Sequence, residues 1–173
     1  MRKLRLLPLY LLIVLLVAAC GGDEEASSVE PETGLIGSWQ LTAGEYTFDG
    51  KNIRDFIKQY AEARGAQLTD ENLDEIETTF RDNTASLFNN GTVFNFQEDN
   101  KLIISEPNTS SQSVWNVANG VLTVSDSAEI VEYDIVKLTK AELRLLEEET
   151  VSFDPGLGSV NTLLGVTLIF AKQ

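Results

Sequence analysis

Residues 37–48, GSWQLTAGEYTF, alternate Trp39, Leu41 and Ala43 with Ser38, Gln40 and Thr42, the two-residue period of a strand with one buried face. The period then changes. Ile53, Phe56, Ile57, Tyr60 and Ala61 fall at helical spacing, and Gly65 ends that helix. Thr69-Asp70-Glu71 opens a second helix with acidic residues in its first turn, where the helix dipole favours them, and Leu73, Ile76, Phe80, Thr84 and Leu87 form one stripe. After Asn90-Gly91 the strand period returns in short segments at 92–97, 102–105, 113–118, 121–125, 129–138, 143–153 and 163–171. Asp99-Asn100 and Asn119-Gly120 mark tight turns between them, the latter the strongest short hairpin signal in the chain.

With the first segment, these make eight strands. Eight short, sequential, hairpin-linked strands predict an all-β fold: an eight-stranded up-and-down antiparallel barrel with a two-helix insertion between strands 1 and 2. Closure removes the exposed edges that an open sheet would leave. A two-sheet sandwich is the rival arrangement. An eight-stranded barrel has room inside for packed side chains or for one small ligand.

The first thirty residues follow a different logic. Arg2, Lys3 and Arg5 precede an apolar stretch, residues 6–17, broken only by Pro8, and Ala18-Ala19 lead to Cys20, the chain's single cysteine. This is the pattern of a secretory signal, and it is too short to span a bilayer. Three divisions follow: a signal peptide at 1–19, a disordered acidic tether at 20–34 and a folded domain at 35–173. The tether is expected because its Gly, Ser, Pro and acidic residues offer almost nothing apolar to bury.

Val17-Ala18-Ala19-Cys20 resembles the lipobox of bacterial lipoproteins, which implies lipidation of the Cys20 thiol, cleavage before it and attachment to a membrane through the lipid. A thiol so used cannot form a disulfide, and no second cysteine exists to need one. Multiple acyl chains would make the attachment lasting. Asp23-Glu24-Glu25 resembles the acidic tag that carries some lipoproteins to the outer face of the outer membrane; a solvated linker explains it equally well. The resemblance therefore implies outer-membrane localisation, on the periplasmic or the cell-surface side.

Gly37-Ser38-Trp39 matches the G-x-W motif of the lipocalins, whose tryptophan plugs the closed end of the barrel. With Val114-Trp115-Asn116-Val117-Ala118-Asn119-Gly120 and the apolar closing strand around 163–170, the domain resembles the lipocalin-like, calycin-type domains of bacterial lipoproteins. That resemblance assigns Gly37 and Trp39 to the barrel end. Two features depart from it. The Thr-Asp-Tyr signature of lipocalins is absent, Tyr133-Asp134 having the reverse order within a strand. The helix pair after strand 1 is similar instead to the lid of intracellular fatty-acid-binding proteins, whose barrel has ten strands.

Composition narrows the chemistry. The chain has no histidine and a formal net charge of -14. Beyond Cys20, ten basic residues face 27 acidic ones, so nucleic acid and anionic lipid surfaces are repelled. Without histidine or a free thiol the usual triads and the His/Cys zinc sites are excluded, and the expectation is a non-enzymatic protein with no cofactor and no metal. Asp70, Glu71, Asp74 and Glu75 could suggest a cation site, but consecutive helical carboxylates splay, and capping plus solvation is the expected role. Asp154-Pro155-Gly156-Leu157-Gly158 lacks the Lys-Ser/Thr of a phosphate loop and reads as a turn. Asp126-Ser127-Ala128 resembles a three-residue O-glycosylation site, a length at which chance matches are common.

Two functions remain. A small hydrophobic ligand would occupy a cavity lined by Phe94, Phe96, Trp115, Tyr133 and Leu168, beneath a helical lid carrying Phe56, Tyr60 and Phe80. Alternatively, the domain is an accessory subunit that docks on an envelope protein through its acidic surface or an exposed apolar patch; residues 143–146, apolar on both faces, hint at such a patch.

Overall fold

The computed structural model describes residues 31–84, 88 and 91–173. The expected signal, Cys20, Asp23-Glu24-Glu25 and most of the tether lie outside the described residues, as does Leu87.

Eight antiparallel strands close into a barrel in sequence order: β1 (Gly37–Phe48), β2 (Val93–Phe96), β3 (Lys101–Ser105), β4 (Ser110–Ala118), β5 (Val121–Ser125), β6 (Ile130–Leu138), β7 (Glu142–Phe153) and β8 (Val160–Lys172), the last returning to β1. The barrel is thus the arrangement adopted, not the sandwich. A single helical turn, α1 (Pro31–Leu35), precedes β1, and the helices α2 (Ile53–Ala63) and α3 (Asp70–Thr84) lie between β1 and β2. Asn119 (φ 54°) and Gly120 (φ 82°) are both left-handed, as the two-residue hairpin joining β4 to β5 demands.

The last residues of the expected tether, 31–34, are helical. Their order comes from Leu35, which is fully buried and whose carbonyl accepts a 2.6 Å hydrogen bond from Trp39 Nε1. Lys172, in the closing strand, sets its ammonium 4.8 Å from the centre of the Trp39 ring and donates to Ile36 O at 2.9 Å. Gly37 lies under the same lysine at φ 119°, where a side chain would be strained. Trp39, α1 and Lys172 together seal this end.

β1 does not keep one alternation along its length. Leu41 pairs with Phe170 and Ala43 with Ile169, so Thr42 is an extra residue, a β-bulge. Trp39 and Leu41 point inward before it; Gly44, Tyr46 and Phe48 point inward after it, and Ala43 is exposed. The expectation that Ala43 shares the buried face of Trp39 and Leu41 is corrected here: one inserted residue flips every side chain beyond it. The bulge lets one strand serve two apolar clusters. The first fills the sealed end with Leu35, Trp39, Leu41, Phe94, Phe96, Leu102, Trp115, Leu122, Leu143, Leu145 and Phe170 among others. The second joins Phe48 to Ile53, Phe56, Ile57 and Leu73 under the helices.

The helices follow their sequence signals closely. Asn52 caps α2 by accepting from Asp55 N at 2.8 Å. Thr69 and Asn72 form a reciprocal box at the start of α3. Asp70 and Asp74 both reach Arg54 of α2, Asp70 at 3.0 Å, with Glu77 at 3.7 Å. Spaced four and three residues apart, these carboxylates share one helix face; they are exposed, as the expected solvated face requires, and they also pair across to α2.

Candidate functional site

The seam between β1 and β2 determines where the barrel can be entered. Only Gly37 to Gln40 pair with β2, against Phe96 to Val93, and one further bond runs from Leu41 N to Thr92 O at 2.9 Å. Beyond the bulge β1 keeps β8 as its strand partner and continues to Phe48. The helical hairpin packs on this stretch. Phe48 meets Phe56 at 5.3 Å, Phe80 at 5.4 Å and Phe153 at 4.9 Å between ring centres, and Tyr46 meets Phe80 edge-on at 5.1 Å.

Between β1 and α3 lies a cleft of about 350 Å³, lined by Gly44, Glu45 and Tyr46 of β1, Asn52 and Ile53 at the start of α2, Glu77, Phe80, Arg81 and Thr84 of α3, and Phe88. Its size falls at the small end of ligand pockets. Phe88 packs against Gly44: a Cβ there would stand 2.1 Å from the ring, and the ring centre is 4.9 Å from that of Tyr46. The missing side chain at Gly44 is therefore what admits an aromatic ring to the flank of the barrel. Burial pushes the Tyr46 phenol above its usual pKa. Tyr46 Oη has no hydrogen-bond partner.

Two other hollows are formed by described residues. One of about 320 Å³ lies on the far side of α3, between Ile76, Thr79, Phe80 and the Phe153-Asp154-Pro155 turn. The other, about 220 Å³, lies at the sealed end beside Ile36, Asn100 and Trp115. Phe80 is the shared wall of the first hollow and the cleft.

The residues expected to line a central cavity are brought together as packed core. Phe94 lies 4.9 Å from Phe170, and Phe96 meets Trp115 edge-on at 5.4 Å. Trp115 Nε1 donates to Lys101 O at 3.1 Å. Tyr133 and Leu168 pack against the same cluster, half-buried. None of the three hollows reaches Phe94, Phe96, Tyr133 or Leu168. Burial, reinforced by Glu147 and Glu129, pushes the Tyr133 phenol up to about 12. Glu147 is itself raised by burial and by Glu149 and Glu129.

The expected lid residues all lie on the helical hairpin. Phe56 is buried in the second cluster and Phe80 lines the cleft. Tyr60 serves instead as a fastener, its hydroxyl donating to Gly158 O at 2.9 Å, while Arg64, stacked 4.3 Å over its ring, donates to Leu157 O at 2.6 Å. These bonds hold α2 to the β7–β8 turn. In that turn Asp154 Oδ1 accepts from Gly156 N and Gly158 N at 2.8 and 3.1 Å. Asp126-Ser127-Ala128 forms the β5–β6 turn, where the Asp126 carboxylate accepts from Ala128 N at 2.7 Å and Glu129 N at 2.9 Å, bonds that lower its pKa.

Gly44, Tyr46, Arg81 and Phe88 were not singled out by sequence patterning, and Thr84 only as part of the stripe on α3. The one available signal was Gly44, a glycine inside a strand pattern, which marks a bulge or a close approach.

No curated protein and no solved structure matches the chain. The model of one family, described as a lipocalin-like domain, matches residues 35–145. That span covers more than half of the chain, from the buried Leu35 through the G-x-W strand and five further strands into β7. With the closed eight-stranded barrel sealed by Trp39, it places the chain in a family: the chain belongs to the lipocalin-like domain family.

Proposed function

We propose that the chain is a non-enzymatic binding protein, anchored in a bacterial outer membrane by acyl groups on Cys20, whose barrel holds a small hydrophobic ligand in the cleft between β1 and α3. The observation that carries the binding reading is the cleft itself. Phe80, Phe88, Ile53 and the face of Tyr46 give it apolar walls, and it opens where the short β1–β2 seam gives way to the helices. Ligand pockets are typically apolar hollows with a few polar groups, and this one has Tyr46, Thr84 and Arg81. The anchor is supported by the sequence Val17-Ala18-Ala19-Cys20 behind its basic and apolar leader.

Native mass spectrometry of the protein extracted from its host membranes tests the binding reading. A non-covalent adduct that is retained by the wild type and lost when Phe88→Trp fills the cleft is the expected result; a wild type without any adduct overturns it. Metabolic labelling with palmitate tests the anchor: label on the wild type and none on Cys20→Ser is expected.

The accessory-subunit reading has less behind it. On the outer wall Val114 and Ile130 are 55% and 69% exposed, but they flank Ser125 in register and do not touch across it. Leu143 and Leu145 are fully buried, so of the three leucines in residues 143–146 only Leu146 faces outward, against Gly165.

A further inference from the structure

The charged and polar atoms around the cleft are not equally committed. Glu45 lies 3.9 Å from Arg144, and Glu77 lies 3.7 Å from Arg54, so both carboxylates on the rim already have a cation. Arg81 has no carboxylate within ion-pairing distance among the described residues; its guanidinium makes one long contact, 3.4 Å to Thr78 Oγ1. Of the two arginines among the described residues that lack a carboxylate partner, Arg64 is held by Leu157 O and the Tyr60 ring, which leaves Arg81 the less committed. On the cleft wall Tyr46 Oη is buried with its donor unused, and the Thr84 hydroxyl next to it spends its own proton on Phe80 O at 2.9 Å. A buried phenol without a partner is costly and is satisfied by an acceptor oxygen.

We infer that the cleft selects a small amphiphile bearing an acid group, with Arg81 pairing to the acid, Tyr46 Oη donating to a ligand oxygen, and Phe80 and Phe88 covering the apolar part. This inference rests on the reading of the cleft as the binding site. Arg81 supplies the planar fork that matches a carboxylate or phosphate. The preference must be local, because the net charge of -14 repels anions as a whole. At a salt concentration of about 0.15 M that long-range repulsion is largely screened, whereas a pairing at contact distance is not.

Calorimetric titration of the full chain with decanoate, decanol and decylammonium, three probes with the same tail, separates the possibilities. Decanoate is expected to bind about tenfold more tightly than decanol, the gain of one charge-assisted contact, with decylammonium the weakest. Arg81 is exposed, so Arg81→Gln leaves the fold intact; it is expected to bring decanoate to within about twofold of decanol. Equal binding of decanoate and decanol, or a preference for decylammonium, overturns the acid selectivity and leaves the hydrophobic cleft standing. A decanoate preference that survives Arg81→Gln overturns the role of Arg81. Failure of all three probes to bind overturns the cleft reading together with the inference.

Discussion

Replacing Gly44 by alanine puts one methyl group into the most confined point of the cleft. Its Cβ would meet three atoms of the Phe88 ring at 2.1 to 2.3 Å, well inside contact distance, so the ring must leave. Two losses follow. The Tyr46–Phe88 ring pair at 4.9 Å contributes about 0.5–1.5 kcal/mol, and a half-buried phenyl forfeits part of the roughly 1.5–3 kcal/mol that full burial provides. Together the expected destabilisation is about 1–3 kcal/mol. It has a ceiling, because a ring that can swing away costs no more than its deletion, so Gly44→Ala is no worse than Phe88→Ala. With Phe88 already alanine the collision is absent. Gly44 does not adopt positive φ, and there alanine stabilises by about 0.4–1 kcal/mol through the unfolded chain. The same substitution therefore changes sign with its background, giving a coupling of about 1.5–4 kcal/mol between residues in contact. Urea unfolding of the four members of the cycle, read as shifts in midpoint at constant slope, measures it. Equal destabilisation by Gly44→Ala in both backgrounds would refute the packing of Phe88 on β1.

Trp39→Phe removes the donor to Leu35 O inside a sealed end and is expected to cost about 2 kcal/mol, read by thermal or urea unfolding; an unchanged midpoint would show that the bond contributes nothing. Tyr133 holds its proton more tightly when folded, with a phenol at about 12, so it adds stability below pH 10 that disappears as the pH rises from 10 to 12. Over that window the wild type is expected to lose stability relative to Tyr133→Phe, and parallel curves would contradict this. The Glu147 carboxyl is also raised by burial and its acidic neighbours, so its protonated form favours folding at low pH and its charge burdens the fold near neutrality. Glu147→Gln is then expected to raise the melting temperature at neutral pH, with the gain fading as the pH falls through the glutamate range; a gain independent of pH would dismiss the electrostatic cause.

Periodicity carried most of the fold because each half-buried strand has an alternating pattern and each turn has its own chemistry. The Asn119-Gly120 hairpin and the capped start of α3 were legible for that reason, whereas the Trp39 plug was implied by the resemblance of Gly37-Ser38-Trp39 to the G-x-W motif. The bulge at Thr42 was not. A bulge is fixed by the partner strand, here the register of Leu41 and Ala43 against Phe170 and Ile169, and one strand's alternation has no record of it. The same misreading hid the inward turn of Gly44 and Tyr46. With Ala43 read as inward, Gly44 and Tyr46 fell on the outer face, which left as candidate lining the aromatics on regular strands, such as Phe94, Phe96 and Trp115, and the structure uses these to fill the sealed end. Arg81 escaped notice for another reason: a lone arginine on a helix gains meaning only when its neighbours' partners are known, and the pairing of Glu77 with Arg54 spans 23 positions.

Amide chemical-shift mapping of the isotopically labelled chain during titration with decanoate reads the location of binding directly. Shifts centred on Gly44, Tyr46, Phe80, Arg81, Thr84 and Phe88, with the amides of Phe94, Phe96 and Trp115 unmoved, are the expected result. Shifts centred on those three core residues would place the ligand inside the sealed barrel and contradict a cleft between β1 and α3.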